Sequence, residues 1–308
     1  MSIVITGAGP IGSSLARTYA EQGTPVRVLT RSGSGPDHPL VERRRVDVND
    51  LPALADATRD ADVVHHCIHA SRYDADVWAR ELPAAEQRIL AVAASAGATV
   101  VFPESLYAFD TTRVVTEDTP HDATGGKPGV RAALLAARAA AEAPTVSVVA
   151  SDYFGPGAGG NAHAGDRMLK TATAGRTTRT FTPVDQPHSW TYLPDLAAAM
   201  IAAAALPTES DRVLLAPTSA PVTPRELVTA YARAAGHDAP RVSPVPLWLL
   251  RTLGLAVKDV RGIVEMRYLF AEPQVMDSSK SEAELGLAPT PWDEAVEATV
   301  RAYLASQR

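Results

Sequence analysis

The 308-residue chain contains a single cysteine, Cys67, so it can form neither an intrachain disulfide nor a cysteine zinc cluster. That usage suits a reducing compartment, and a cytoplasmic location is expected. Lysine is also scarce, occurring only at 127, 170, 258 and 280. Aromatic residues are 6% of the chain, and no basic block offsets the formal net charge of −6. This balance argues against nucleic acid or an anionic membrane as the main partner. Long apolar runs are missing too. The longest, Leu196 to Leu206, is too short to span a bilayer. The opening Met1-Ser2-Ile3-Val4-Ile5-Thr6-Gly7 has no basic leader and runs straight into a strand-like segment, so no signal peptide is expected.

The chain is 46% hydrophobic and 21% charged, the balance of a globular protein long enough to bury a real core. Its first half alternates β-rich runs with alanine-rich helical stretches. Strands are expected at 2–6, 26–30, 44–48, 62–68, 99–102 and 145–150, and helices at 11–22, 51–58, 77–96 and 130–143. This alternation predicts an α/β fold, a doubly wound parallel (Rossmann) sheet covered on both faces. Beyond residue 150 the pattern changes. Glycine-rich 151–160 reads as a loop, 161–190 is polar and poorly periodic, and helices are expected at 193–206, 224–235, 246–257 and 292–305. We expect residues 1–150 plus about 176–215 to form the nucleotide-binding domain. Residues of about 151–175 plus 216–308 would form a smaller, mainly helical substrate lobe.

Gly7-Ala8-Gly9-Pro10-Ile11-Gly12 follows a strand and opens a helix, the context that makes a glycine pattern informative. Gly7 permits the tight turn, Gly9 lets backbone approach a pyrophosphate, and Gly12 lets helix and strand pack closely. The helix N-terminus adds free N–H groups and partial positive charge, and Pro10 fits its first turn. The second strand ends at Thr30-Arg31-Ser32, where an NAD site usually carries Asp or Glu for the ribose 2′-hydroxyl. Arg31 instead suits a 2′-phosphate, so NADP is expected ahead of NAD; the plain alternative is a solvated surface arginine. Asp47 is placed to accept a hydrogen bond from the adenine amino group, although Asp at a strand end is also an ordinary turn residue.

Together these features resemble the extended and atypical short-chain dehydrogenase/reductase superfamily, in its NAD-dependent epimerase/dehydratase branch. The resemblance rests on Thr6–Gly12, Asp47-Val48, Ala61-Asp62-Val63-Val64, and Val100–Phe109. It rests also on Ser151–Gly157 and on His188–Ala197. It implies that Ser105 occupies the active-site serine position, that Val48 joins Asp47 in the cofactor site, and that Tyr153 and Trp190 lie on the substrate side. The branch's Tyr-x-x-x-Lys signature is absent, since Ala123, Asp166, Gly254 and Met276 stand four residues before the lysines. In its place the chain reads Gly126-Lys127-Pro128-Gly129-Val130-Arg131. The match puts Lys127 in the tyrosine position and Arg131 in the lysine position, on one helix face. Arg131 can hold the nicotinamide ribose but cannot act as an acid or base near neutrality. Lys127 is a proton carrier if its surroundings favour the neutral amine; otherwise the pair only binds cofactor. Tyr107 and Tyr153 are the alternative proton donors. The superfamily is also compatible with a homodimer through helices 77–96 and 130–143.

His65-His66-Cys67-Ile68-His69 is reminiscent of a metal cluster. However, same-face strand residues stand about 7 Å apart, too far for easy chelation, so no metal is expected. His69, at the strand's C-terminal end, would reach the nicotinamide side. Gly157-Ala158-Gly159-Gly160 lacks a following Gly-Lys-Ser/Thr and reads as a flexible substrate-side loop. Leu247-Trp248-Leu249-Leu250 reads as lobe core. Asp185 and His188 are substrate-lobe candidates.

The leading expectation is an NAD(P)-dependent oxidoreductase or epimerase/dehydratase-like enzyme, transferring hydride to or from a small carbonyl or hydroxyl compound. The alternative is a catalytically silent NADP-binding regulatory or scaffold protein, motivated by the missing tyrosine. Turnover against aldehydes, ketones and sugar nucleotides separates the two.

Overall fold

The computed structural model describes residues 1–207 and 210–308. The first half runs β1 (Ile3–Thr6), α1 (Pro10–Glu21), β2 (Val26–Thr30), β3 (Val41–Arg45), α2 (Leu51–Thr58) and β4 (Val63–His66). It continues with α3 (Ala75–Ala96), β5 (Thr99–Ser105), α4 (Gly126–Ala139) and β6 (Thr145–Ala150). There follow β7 (Asp152–Phe154), α5 (Asp166–Ala172), β8 (Thr178–Thr180), β9 (Trp190–Tyr192), α6 (Leu193–Ala204) and β10 (Arg212–Leu215). The chain ends with α7 (Pro224–Ala234), β11 (Val242–Pro244), α8 (Leu247–Ala256), α9 (Lys258–Met266), α10 (Ser279–Leu285) and α11 (Trp292–Ser306).

Seven strands form one parallel sheet in the order β10-β6-β5-β4-β1-β2-β3, the expected doubly wound arrangement. Strand alternation assigns the two faces. Ile3 and Ile5 of β1 pack with Leu15, Tyr19, Leu196 and Met200 of α1 and α6. Val4, between them, packs with Leu54 and Ile89 of α2 and α3 on the other face. Chain order reverses between β1 and β4, so the crevice over their C-terminal ends is the topological switch point where ligands bind in such sheets.

Two small parallel pairs, β7 with β9 and β8 with β11, stand beyond the sheet. They pack with α5, α7 and α11 on a separate core built around Phe154, Trp190 and Tyr231. The polar stretch 161–190 therefore contains α5, β8 and the start of β9, which its weak periodicity did not announce.

Two expected boundaries and one burial assignment change. The third strand lies at Val41–Arg45, not 44–48, because the Asp47 carboxylate accepts from the Asn49 N–H (2.9 Å) and closes a turn there. The fourth helix begins at Gly126 rather than Val130. Pro128 fits its first turn, and the Gly125 N-cap has φ 71°, a left-handed conformation suited to glycine. Trp248, expected in the lobe core, is 69% exposed. Leu250, two residues round the same helix, is the one buried instead.

Candidate active site

The glycine turn crosses the switch-point crevice. Gly7 has φ 90°, and a Cβ there would come within 3.0 Å of the Cys67 carbonyl oxygen. A Cβ on Gly12 would lie 2.0 Å from the Gly7 carbonyl oxygen, so no side chain fits. A Cβ on Gly9 would meet nothing within 4 Å, which leaves this stretch of backbone open to a ligand. Pro10 opens α1 with Gly9 as its N-cap, and Ile11 packs on the core below. The 157–160 loop, expected on the substrate side, reaches the glycine turn. A Cβ on Gly159 would lie 3.9 Å from Pro10 Cγ, so the loop lies across the start of α1.

At the outer end of β2, Arg31 and Ser32 are exposed. The Ser32 hydroxyl donates to Ser34 Oγ (2.8 Å), and the Arg31 guanidinium has no ion pair or hydrogen bond among the described residues. Asp47 accepts from both the backbone and side-chain nitrogens of Asn49, and Val48 is buried beneath it. Arg45 was missed in the sequence. It registers with Thr30 across the β2–β3 ladder, and a Cβ on Gly33 would lie 3.8 Å from its own Cβ, so it flanks the same turn as Arg31. Only the corrected position of β3 reveals this neighbour.

A second group of residues gathers at the C-terminal ends of β5 and β6. Ser105 closes β5, opposite Ala150 of β6. Its N–H donates to Glu104 Oε1 (2.7 Å) and its hydroxyl donates to the same oxygen (3.3 Å). Glu104 also pairs with Arg131 (3.4 Å) and with Arg138 (2.9 Å). Burial opposes ionisation of Glu104, but the two guanidinium charges outweigh it and hold the carboxyl below its usual range. Arg138 is itself clamped by Glu86 and by the Ser147 hydroxyl and lies over the Phe102 ring at 4.0 Å. The serine, the glutamate and the α4 arginines therefore form one buried network.

Lys127 and Arg131 do share a face of α4, both turned toward Trp78 at 5.8 Å and 5.0 Å. Lys127 is fully buried. Its Nζ donates to Glu265 Oε2 (2.5 Å) and to the Gly262 carbonyl (3.3 Å), both on α9, and lies over the Tyr73 ring at 4.3 Å. Its ammonium is therefore ion-paired rather than free. Arg131 Nε is buried without a protein partner, a donor left over for a ligand.

Tyr107, on the short turn after β5, shares a hydrogen bond with the Tyr73 hydroxyl (2.7 Å). Burial pushes the Tyr107 phenol well above its ordinary value, the Tyr73 and Asp152 charges add to the rise, and Arg131 opposes it. Tyr153 is partly buried against the core below, its phenol also pushed up by burial. Tyr73 precedes α3 in a loop without a motif, so no sequence signal marked it. His69 is exposed at the end of the crevice and meets Trp78 edge-on, with ring centroids 4.7 Å apart. His65 and His66 point to opposite sides of β4, one to the Tyr19 hydroxyl (2.8 Å) and one to the Thr6 hydroxyl (2.7 Å). Burial pushes the Cys67 thiol up.

In the part built around Phe154, Trp190 and Tyr231, Asp185 pairs with Arg225 (2.7 Å), whereas His188 Nε2 pairs with Asp152 (2.9 Å). His188 stacks on Phe270 (4.5 Å) against Trp190, and its Nδ1 is buried without a partner. Burial opposes ionisation of Asp152, and the His188 hydrogen bond, with the His188 and His163 charges, outweighs it and keeps the carboxyl below its usual range.

A glycine turn at the switch point of a doubly wound parallel sheet defines a Rossmann-type fold with its ligand crevice. The chain belongs to the NAD dependent epimerase/dehydratase family, whose model matches residues 3–214. No curated protein matches it in sequence. Among solved structures, the Thermus thermophilus UDP-glucose 4-epimerase in complex with NAD aligns with TM-score 0.76 at 21% identity, over 99% of this chain and 100% of that one. MoeE5 in complex with UDP-glucuronic acid and NAD gives the same TM-score, identity and coverage. A dTDP-glucose 4,6-dehydratase from Streptomyces venezuelae, the DesIV double mutant with NAD bound, gives 0.76 at 19% identity over 100% and 98%. At these identities the likeness speaks for the fold.

Proposed function

We propose that this protein is an NADP-dependent oxidoreductase, or an epimerase or dehydratase working through transient hydride transfer, acting on a small carbonyl or hydroxyl compound. The observation that carries the reading is the meeting of Ser105, Tyr107 and Arg131 at the C-terminal edge of the sheet that carries the glycine turn. The cradle fits a dinucleotide: Gly9 backbone is open, no Cβ fits at Gly12, and the buried Arg131 Nε lacks a partner. Gly7, Gly9, Pro10, Ile11 and Gly12 would hold the pyrophosphate, Asp47 and Val48 the adenine side, and His69 the nicotinamide side. Arg31 and Ser32 would take the 2′-phosphate, because Arg31 is exposed and offers an unpaired guanidinium.

The bound nicotinamide would supply or accept the hydride. Ser105 Oγ would hold the reacting oxygen. Tyr107, kept protonated by its buried setting, would donate a hydrogen bond and then a proton to the developing alkoxide, with Tyr73 as its partner. Tyr153 is the second phenol within the substrate side. Arg131 would fix the nicotinamide ribose. Lys127 can carry a proton only once Glu265 releases it, so in this reading it chiefly anchors α9 over the site.

Cofactor titration of the wild-type protein and of Arg31→Ala tests the reading. Loss of one or two charge-assisted hydrogen bonds should weaken NADPH about 10- to 100-fold and leave NADH nearly unchanged. Equal effects on both would refute the NADP assignment, and no binding of either nucleotide would end the whole reading. Oxidation of NADPH across aldehydes, ketones and sugar nucleotides, lost in Ser105→Ala, tests the reaction.

A further inference from the structure

β5 and β6 leave the C-terminal edge of the sheet side by side. Ser105 registers with Ala150, the strands run in parallel, and two residues further along each chain stand Tyr107 and Asp152. Asp152 opens β7, and His188 Nε2 donates to its Oδ2 (2.9 Å). His188 stacks on Phe270 (4.5 Å), and Phe270, with Met266 and Leu269, packs against Tyr73 and Tyr107. Two phenols thus face a carboxylate and its imidazole across one small space. Burial is the main cause of the raised phenol pKa values of Tyr73 and Tyr107, and the Asp152 charge adds to both.

Asp152 stands out among the carboxylates of this region. Glu104 has Arg131 and Arg138, and Glu265 has Lys127. Asp152 has no lysine or arginine within ion-pair distance among the described residues. The cationic groups that act on it are the imidazoles of His188 and His163. Burial pushes His163 down to about 4, so that ring is uncharged near neutrality. His188 serves Asp152 with one nitrogen, and its Nδ1, an acceptor in the neutral ring, is buried without a partner. The Asp152 side chain is 23% exposed, and its Oδ1 makes no hydrogen bond among the described residues. An ionised carboxylate only accepts, so this oxygen calls for a donor from outside the chain.

We propose that Asp152, oriented by His188, is the specificity-determining contact of the substrate crevice. Its open oxygen takes an N–H or O–H donor beside the reacting carbon, from an ammonium or a hydroxyl, and turns away a substrate with an anionic group there. This rests on the reading of Ser105 and Tyr107 as the pair that flanks the reacting oxygen. A hydrogen bond to a charged group changes affinity about 10- to 100-fold. A second carboxylate placed beside Asp152 brings repulsion instead of a bond.

Binding of small alcohols to the full chain loaded with NADPH, followed by ligand-observed NMR, tests it. The probes are 1-amino-2-propanol, 1,2-propanediol and lactate. They share a C2 hydroxyl and carry an ammonium, a hydroxyl or a carboxylate at C1. The reduced cofactor cannot oxidise them, so affinity is read without turnover. The first two should bind about tenfold or more tighter than lactate. Asp152→Asn, which retains an oxygen for His188, should erase that gap mainly by admitting lactate. Asp152→Glu, which keeps the charge, should preserve the order. Circular dichroism checks that both variants fold; should either fail, the wild-type order alone decides. Aminopropanol ahead of propanediol assigns an ammonium-bearing substrate, and any other order of these two a hydroxylated one; either supports the inference. Protein that takes up NADPH but binds none of the probes, binds lactate as well as the others, or keeps its order in Asp152→Asn overturns this inference alone. Protein that takes up no NADPH overturns the functional reading, and this inference with it.

Discussion

Replacing Arg138 with Met removes the keystone of the buried network while roughly preserving volume. The guanidinium is 1% exposed and donates to Glu86 at 2.8 and 2.6 Å, to Glu104 at 2.9 Å and to Ser147 at 3.0 Å. After its loss Glu104 keeps the Ser105 N–H and Arg131. Glu86 has no other cation within ion-pair distance among the described residues, and it stays buried. One stranded charge of this kind costs about 3–5 kcal/mol. For a cooperative unit of this size that lowers Tm by about 6–20 °C. A stranded carboxylate also takes up a proton more readily. The gap between wild type and Arg138→Met in urea-melt stability should therefore narrow from pH 7 to pH 5. A loss under about 1 kcal/mol at pH 7, or a gap that does not change with pH, would refute the idea that α4 is tied to β5 by buried charge.

Other expectations follow from the same site. The Glu104 carboxyl is held below its usual range, so its stabilising contribution is complete above the ordinary carboxylate value, about pH 4, and is lost as pH falls through the lowered one. Acid melts of wild type and Glu104→Gln should accordingly converge only in strong acid. Tyr107→Phe should reduce kcat by about 10²- to 10⁴-fold with little change in cofactor affinity, whereas Tyr73→Phe should cost less; equal losses would place the proton donor elsewhere. Glu265→Gln breaks the Lys127 ion pair, and hydrogen exchange should speed up across 247–270 while the main sheet stays protected.

The sheet was legible because its strands are apolar runs separated by alanine-rich helices, and the glycine turn because its context is local. Arg31 was visible for the same reason. Tyr73, Glu265 and the Asp152–His188 pair were not, because each acts through a partner brought in by tertiary packing. Lys127 and Glu265 stand 138 residues apart. Asp185 and His188 are close in the chain, yet β7 and β9 pair in parallel and bring Asp152 to His188, while Asp185 turns to Arg225. The third strand was misplaced because Val46 and Val48 carry a strand signature that the Asp47 turn overrides. Trp248 was misread since a short apolar helix gives no sign of which side faces inward.

The family match ends at residue 214, but the molecule does not come apart there. Gln274 accepts from the Ser151 hydroxyl just beyond β6 (3.0 Å), Thr290 holds Asp195 at the start of α6 (2.6 Å), and Glu265 fastens the first turn of α4. Each of these late residues supplies a bond that an early one lacks. A cut after residue 214 would thus strip partners from three segments of the N-terminal part, and transplanting that part alone would yield a frayed fragment rather than a portable module.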